Sequence, residues 1–279
     1  MKTKMVKTLL TLSVAGLMAA CSSSNETPEV SASEVIKQAV SSSHRAEQSQ
    51  RDEYRHPQQT LEFFGLEPDM TVVEIWPGGG WYTSILNPIV KDQGKLYAAH
   101  FYTGDGTPEF MQKSVSKFKE KVNSEPMYAG IEVTEFDHAN ALNVAPAGSA
   151  DMVLTFRNVH NWYMRGGDQG VDAAFMAFNE ALKKGGVLGL VDHRLPESLD
   201  QETYKRSGYM KQSYVVAAAE RAGFKLVASS EVNANPKDDS KHPRGVWTLP
   251  PRLALGEEDK AKYLAIGESD RMTLKFEKL

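Results

Sequence analysis

The chain has 279 residues, with 32 lysines and arginines against 36 aspartates and glutamates, a formal net charge of −4 and 41% hydrophobic residues. That length and apolar content suffice for one sizeable domain with a proper core, and the acidic balance excludes a basic nucleic-acid footprint. Cys21 is the only cysteine, which excludes a disulfide within one molecule.

In chain order, residues 1–20 read as a secretory signal. Lys2, Lys4 and Lys7 precede an apolar run from Leu9 to Ala20, too short to span a bilayer as a mature helix, and small residues precede Cys21. Met18-Ala19-Ala20-Cys21 resembles the bacterial lipoprotein cleavage box. That resemblance implies a lipid on Cys21 and, with Ser22 following, attachment to the periplasmic face of the outer membrane. Residues 21–34 are polar without apolar periodicity and read as a tether, leaving residues 35–279 as the folded domain.

Within that domain strand and helix periods alternate. A short amphipathic helix within HPQQTLEFFGLEPDM turns Leu61 and Phe64 inward, and TVVEIW follows as a continuously apolar, buried strand. Next come a helix over Tyr82 to Val90, the strand KLYAAHF, and a helix capped by Thr107 with Pro108 in its first turn and Met111, Val115, Phe118 and Val122 on one face. The strands GIEVTEF and ADMVLTF lead to RNVHNWY. A helix from Val171 to Lys184 stops at Gly185-Gly186, and VLGLVDH, a helix from Ser207 to Ala222, FKLVASSEV and RMTLKFEKL complete the series. Between the last two strands lies a long excursion, rich in proline, glycine and charge, that reads either as part of the crevice wall or as a surface insertion. The pattern predicts an α/β fold: a Rossmann-like, doubly wound, mostly parallel sheet with an antiparallel last strand and a ligand crevice at the carboxyl strand ends.

Three consecutive glycines, Gly78, Gly79 and Gly80, lie between a buried strand and a helix, where backbone can approach a ligand closely. The dinucleotide pattern G-x-G-x-x-G and the P-loop lysine are both missing. Val72-Val73-Glu74-Ile75-Trp76-Pro77-Gly78-Gly79-Gly80 resembles the first motif of the class I S-adenosylmethionine-dependent methyltransferases. Gly148 to Leu154 resembles their fourth strand, Asn158-Val159-His160-Asn161-Trp162 the stretch after it, and Leu182-Lys183-Lys184-Gly185-Gly186-Val187-Leu188 their helix-to-fifth-strand junction. More narrowly, SHRAEQSQRDEYRHP, VVEIWPGGGWYT, LTFRNVHNW and SDRMTLKF together resemble a subfamily of predicted bacterial methyltransferases, many of them exported.

The resemblance implies S-adenosylmethionine as cofactor and a small molecule as methyl acceptor. It implies cofactor contacts from Glu74, Gly78, Gly79, Gly80 and Tyr82 at the first turn, from His100 in place of the ribose-binding acid, and from Asp137 after the third strand. It implies substrate contact by Arg157, Asn158 and His160. His160 or His193 is the candidate general base, since an imidazole titrates near neutral pH. His100, His138, His160 and His193 each fall at the carboxyl end of a different strand, but strand spacing alone does not converge them on an ion, and no metal is expected. Trp76 stands where the family has its first glycine. A non-catalytic ligand- or metal-binding lipoprotein on the same fold is the competing reading. The polar run His44, Arg45, Arg51, Asp52, Tyr54, Arg55 and His56 reads equally as a lid over the crevice or as a solvated helix face.

Overall fold

The computed structural model describes residues 30–279; the signal, Cys21 and most of the tether lie outside the described residues. The chain forms β1 (Thr71–Ile75), β2 (Lys95–Phe101), β3 (Glu132–Phe136), β4 (Ala150–Phe156), β5 (Leu182–Leu195), β6 (Met210–Lys211), β7 (Phe224–Ser230) and β8 (Arg271–Lys278). Around them lie α1 (Ala32–Val40), α2 (Asp52–Arg55), α3 (Pro57–Phe64), α4 (Thr83–Val90), α5 (Glu109–Ser124), α6 (Val159–Ala181), α7 (Gln212–Arg221) and α8 (Lys260–Ile266). The sheet order is β3-β2-β1-β4-β5-β8-β7, with β8 antiparallel to both β5 and β7, and β6 paired to β5. The order reverses at β1, whose neighbours β2 and β4 are both parallel to it. A crevice opens at such a switch point, outside the carboxyl ends of the strands.

Strand alternation divides the core into two layers. Val73 and Ile75 face α6 and α7, packing with Val171, Phe175, Phe178 and Val215. Val72 faces the other way, onto Leu61 and Phe64 of α3, Ile85 of α4 and Phe118 of α5. Leu61 and Phe64 are fully buried, as the amphipathic pattern requires.

Several boundaries differ from the sequence reading. α1 begins at Ala32, inside the stretch read as tether, where the Ser31 side chain accepts a hydrogen bond from the Glu34 N–H. α5 starts after Pro108, not from a Thr107 side-chain cap. α6 begins at Val159 because Val159, Trp162 and Tyr163 continue its buried face, and it bends at Gly167, whose φ of 58° no helix allows. Its other end comes at Ala181, before Lys184: Lys278 Nζ donates to the carbonyls of Asn179 and Leu182 at 2.6 and 2.8 Å, satisfying the end of the helix from outside. α7 is shorter than expected because residues 201–208 form turns and Met210–Lys211 pair with β5 before the helix starts.

Candidate active site

The first turn opens the crevice. Trp76 adopts φ 49° and Gly78 φ 60°, so the turn is left-handed at both positions. A side-chain carbon added at Gly78 or Gly79 would meet nothing within 4 Å, whereas one at Gly80 would meet Phe118 at 3.3 Å. Gly78 and Gly79 therefore offer backbone to a ligand. Gly80, also expected to do so, is a packing glycine at φ 84°.

Behind the turn, Glu74 is buried and accepts the Thr83 hydroxyl at 2.6 Å, pinning the strand to the start of α4. Burial pushes its carboxyl up to about 7. Tyr82 is not at the crevice either: its ring stacks on Phe156 at 3.5 Å within the core. His100, expected at a ribose, is fully buried. Its Nε2 donates to the Gly78 carbonyl at 3.1 Å, and its Nδ1 accepts the Phe101 N–H at 2.7 Å. Both ring nitrogens are committed to neutral-imidazole roles, and burial lowers the group to about 4. His100 supports the turn from below. Contact with a ribose would require at least one of these bonds to open.

Two hollows lie on the crevice, sharing Trp76 and Phe101 as walls. The first, about 360 Å3, lies between the ends of β2 and β3 and the start of α5. Its walls are aromatic (Trp76, Phe101, Tyr102, Phe136), and Asp105, Asp137 and Arg165 add charge. The Trp76 Nε1–H donates to the Phe136 carbonyl at 2.8 Å, fixing the indole across the strand ends. Asp137 stands at this rim, with Oδ1 accepting the N–H groups of Ala139 and Asn140 in a tight turn. Asp105 was not expected: it comes from the loop after β2, past the strand end where an acid was sought.

The second hollow, about 560 Å3, is bounded by Gly78 and Gly79, by the loop after β4 and by the end of β5. It brings Arg157, Asn158, His160 and His193 together, as the sequence implies. Asn158 Nδ2 donates to the Ile75 carbonyl at 2.9 Å and to Thr155 Oγ1 at 3.2 Å, tying the β1 and β4 ends together. His160 Nδ1 lies 2.9 Å from Asp192 Oδ1, and the His160 N–H donates to Oδ2 at 3.1 Å. A carboxylate can only accept, so Nδ1 carries the proton; Nε2, 3.0 Å from Asn161 Nδ2, is left with its lone pair. His193 Nδ1 lies 2.5 Å from Ser269 Oγ, and burial, then His160 and three arginines, push His193 well below its ordinary range. His160, oriented by a buried carboxylate, is the better placed proton acceptor of the two.

Sequence reasoning missed Asp192, although Val191-Asp192-His193 placed an acid inside an apolar strand, where an unpaired charge is costly. It also missed Trp247, which comes from the excursion between β7 and β8 and meets His160 edge-on at 6.1 Å. That excursion is part of the crevice wall. The N-terminal polar run also reaches the crevice, with Gln48, Arg51 and Arg55 on the second hollow. His138, the remaining strand-end histidine, packs against Gly166 and Gly170 of α6, away from His160 and His193.

Neither a protein-family model nor a curated protein matches the sequence. Solved structures do. A SAM-dependent methyltransferase from Aquifex aeolicus superposes with TM-score 0.54 at 17% identity, over 90% of this chain and 100% of that one. The [4+2]-cyclase SpnF superposes with TM-score 0.55 at 13% identity over 88% and 92% of the two chains. A putative sarcosine dimethylglycine methyltransferase from Galdieria sulphuraria gives 0.54 at 13% identity over 83% and 87%. The fold is that of the SAM-dependent methyltransferases. SpnF, which shares it, is a cyclase by name, so methyl transfer has to be argued from this chain's own residues.

Proposed function

We propose that this chain is a SAM-dependent methyltransferase acting on a small molecule, exported and held at a membrane through a lipid on Cys21. The observation that carries the reading is the His160–Asp192 pair facing the open backbone of Gly78 and Gly79 across one hollow. The neighbouring hollow suits a nucleoside: aromatic walls suit a base, and Asp105 and Asp137 offer carboxylate oxygens to ribose hydroxyls. S-adenosylmethionine, when bound, supplies an electrophilic methyl group on a sulfonium. The chain's part is to hold the acceptor in line and exclude water, while His160 Nε2 takes the proton that an oxygen or nitrogen nucleophile releases. Asp192 keeps the imidazole in the tautomer with Nε2 unprotonated, and the nucleophile takes the place of Asn161 Nδ2 as its partner.

Calorimetric titration of the purified full-length protein with S-adenosylmethionine and S-adenosylhomocysteine tests this directly. Saturable binding of both is expected, and heats no larger than dilution would sink the reading. Membrane attachment is tested by Cys21→Ser, which should move the protein from the membrane fraction to the soluble one; unchanged fractionation would exclude the lipid.

A second reading, a binding protein that has kept the fold and lost the cofactor, is favoured by one specific feature. Trp76 replaces a glycine at a left-handed position and lays its indole across the strand ends.

A further inference from the structure

The second hollow is basic in an acidic protein. Arg51, Arg55 and Arg157 line it with His160 and His193, and no aspartate or glutamate does. One carboxylate nearby, Glu268, is already engaged by Arg51 Nε at 2.6 Å and by Arg271. Arg271 also donates to the Tyr54 carbonyl at 2.9 Å. Arg55 and Arg157 have no such partner: among the described residues neither guanidinium makes a hydrogen bond. Arg55 is only 4% exposed, lies 4.3 Å over the Trp81 ring, and leaves its Nε buried and unsatisfied. Burial and the nearby Arg157 and Arg51 depress Arg55 to about 7. Glu268 offsets this only in part, and because a guanidinium does not surrender its proton under ordinary conditions, its charge stays on a side chain with no hydrogen-bonded counter-ion.

A metal does not suit this end of the crevice. His160, Asp192 and His193 place ligand atoms within 4.8 Å of one another. However, Asp192 already accepts the His160 N–H, its Nδ1–H and the His193 N–H, and the surrounding charge is positive. What fits is an anion. Planar guanidiniums match carboxylate and phosphate oxygens in paired hydrogen bonds. S-adenosylmethionine itself carries one carboxylate against an ammonium and a sulfonium, so it leaves the surplus uncompensated.

We infer that Arg55 and Arg157, with Arg51 at the rim, bind a carboxylate or phosphate group of a small anionic ligand, held beside His160. That this ligand is the methyl acceptor rests on the function proposed above; the anion site itself does not.

The test is calorimetry and thermal melting of the purified full-length protein with inorganic phosphate or citrate as probe, against chloride at matched ionic strength. At least one of the two should bind and raise the melting temperature beyond chloride, and whichever does so gives the oxyanion class. Losing one charged hydrogen-bond donor should weaken that binding about tenfold to a hundredfold in Arg55→Met and in Arg157→Gln. In chloride alone Arg55→Met should melt no lower than the native protein, because it removes an uncompensated charge. Arg157 is half-buried, so Arg157→Gln keeps the test available should Arg55→Met not fold. Phosphate and citrate acting no differently from chloride, or unchanged affinity in the variants, overturns the site. Oxyanion binding without S-adenosylhomocysteine binding leaves the site standing and removes the methyltransferase reading; the converse removes the site alone.

Discussion

Neighbouring glycines in the first turn differ in what they contribute, and so do the substitutions that probe them. Gly79 has open space where a side chain would project and no left-handed φ, so Gly79→Ala should fold normally while its methyl group blocks close approach of a ligand. Gly80→Val forces a branched side chain onto Phe118 at φ 84° and should lower the melting temperature instead. Ligand titration beside melting separates the two, and a Gly79→Ala protein that binds as the native one does would deny that backbone approaches the ligand here. Glu74 gives a pH signature. Its ordinary value is 4.5 and burial lifts it to about 7, so between those limits the folded state keeps a proton that the unfolded state has released. Stability attributable to this group therefore falls as pH rises from about 4.5 to about 7 and stays low above. Glu74→Gln, which can still accept the Thr83 hydroxyl, should equal the native protein at pH 4.5 and exceed it at pH 8 by up to about 3 kcal/mol in urea unfolding. Equal stability at both pH values would mean Glu74 is not held protonated.

At the scale of elements, the crevice is closed by two segments distant in sequence, the N-terminal run and the excursion between β7 and β8. Arg51–Glu268 binds one to the other, Arg271 at the start of β8 donates to the Tyr54 carbonyl of the run, and Asn233 Nδ2 of the excursion donates to Thr60 Oγ1 of α3 at 3.0 Å. Burial alone would raise the Glu268 carboxyl, but Arg271 and Arg51 overcome it and hold it at about 2. The stabilisation this gives is present above the ordinary value of 4.5 and is lost progressively as pH falls from there through about 2. Glu268→Gln leaves buried guanidiniums without their counter-charge and should cost about 3–5 kcal/mol at neutral pH. A loss below 1 kcal/mol by denaturant titration would mean the clasp is slack. Such long-range ties mark where the sequence stops being legible. The strands were readable because buried parallel strands are continuous apolar runs, and KLYAAHF has the same bounds in both readings. Arg157, Asn158, His160 and His193 were readable because carboxyl strand ends converge on one crevice. His100 also ends a strand, but the two-residue alternation that turns Leu96 and Ala98 toward α4 and α5 turns His100 there too, under the turn instead of into the crevice. The start of α6 was hidden by Gly167, whose non-helical φ of 58° interrupts the helix, so that the turns from Val159 before it do not join the periodicity that begins at Val171. The contacts of Arg55 with Trp81 and of Trp247 with His160 have no local signal, since each joins residues from separate segments of the chain.

Across the whole molecule, one crevice runs along the carboxyl edge of the sheet with an aromatic, carboxylate-bearing half and an arginine-rich half, and Trp76 stands between them. Its indole meets Phe101 edge-on at 4.9 Å and Trp162 at 5.8 Å, and its N–H is satisfied by the Phe136 carbonyl. The residue therefore fills volume that a glycine would leave open, at a φ of 49° that glycine adopts without strain. Two opposing terms decide what Trp76→Gly does to stability: relief of backbone strain, about 1 kcal/mol, and loss of a buried tryptophan, about 3–5 kcal/mol. The second is larger, so the variant should be less stable by a few kcal/mol and still fold. Its effect on ligand binding separates the two functional readings. If the indole is a wall of the nucleoside hollow, as the methyltransferase reading requires, removing it takes away stacking surface, and affinity for S-adenosylhomocysteine should fall by about tenfold or more. Tighter binding by Trp76→Gly than by the native protein would show that the indole occupies the place of the cofactor, and the binding-protein reading would then stand in place of methyl transfer.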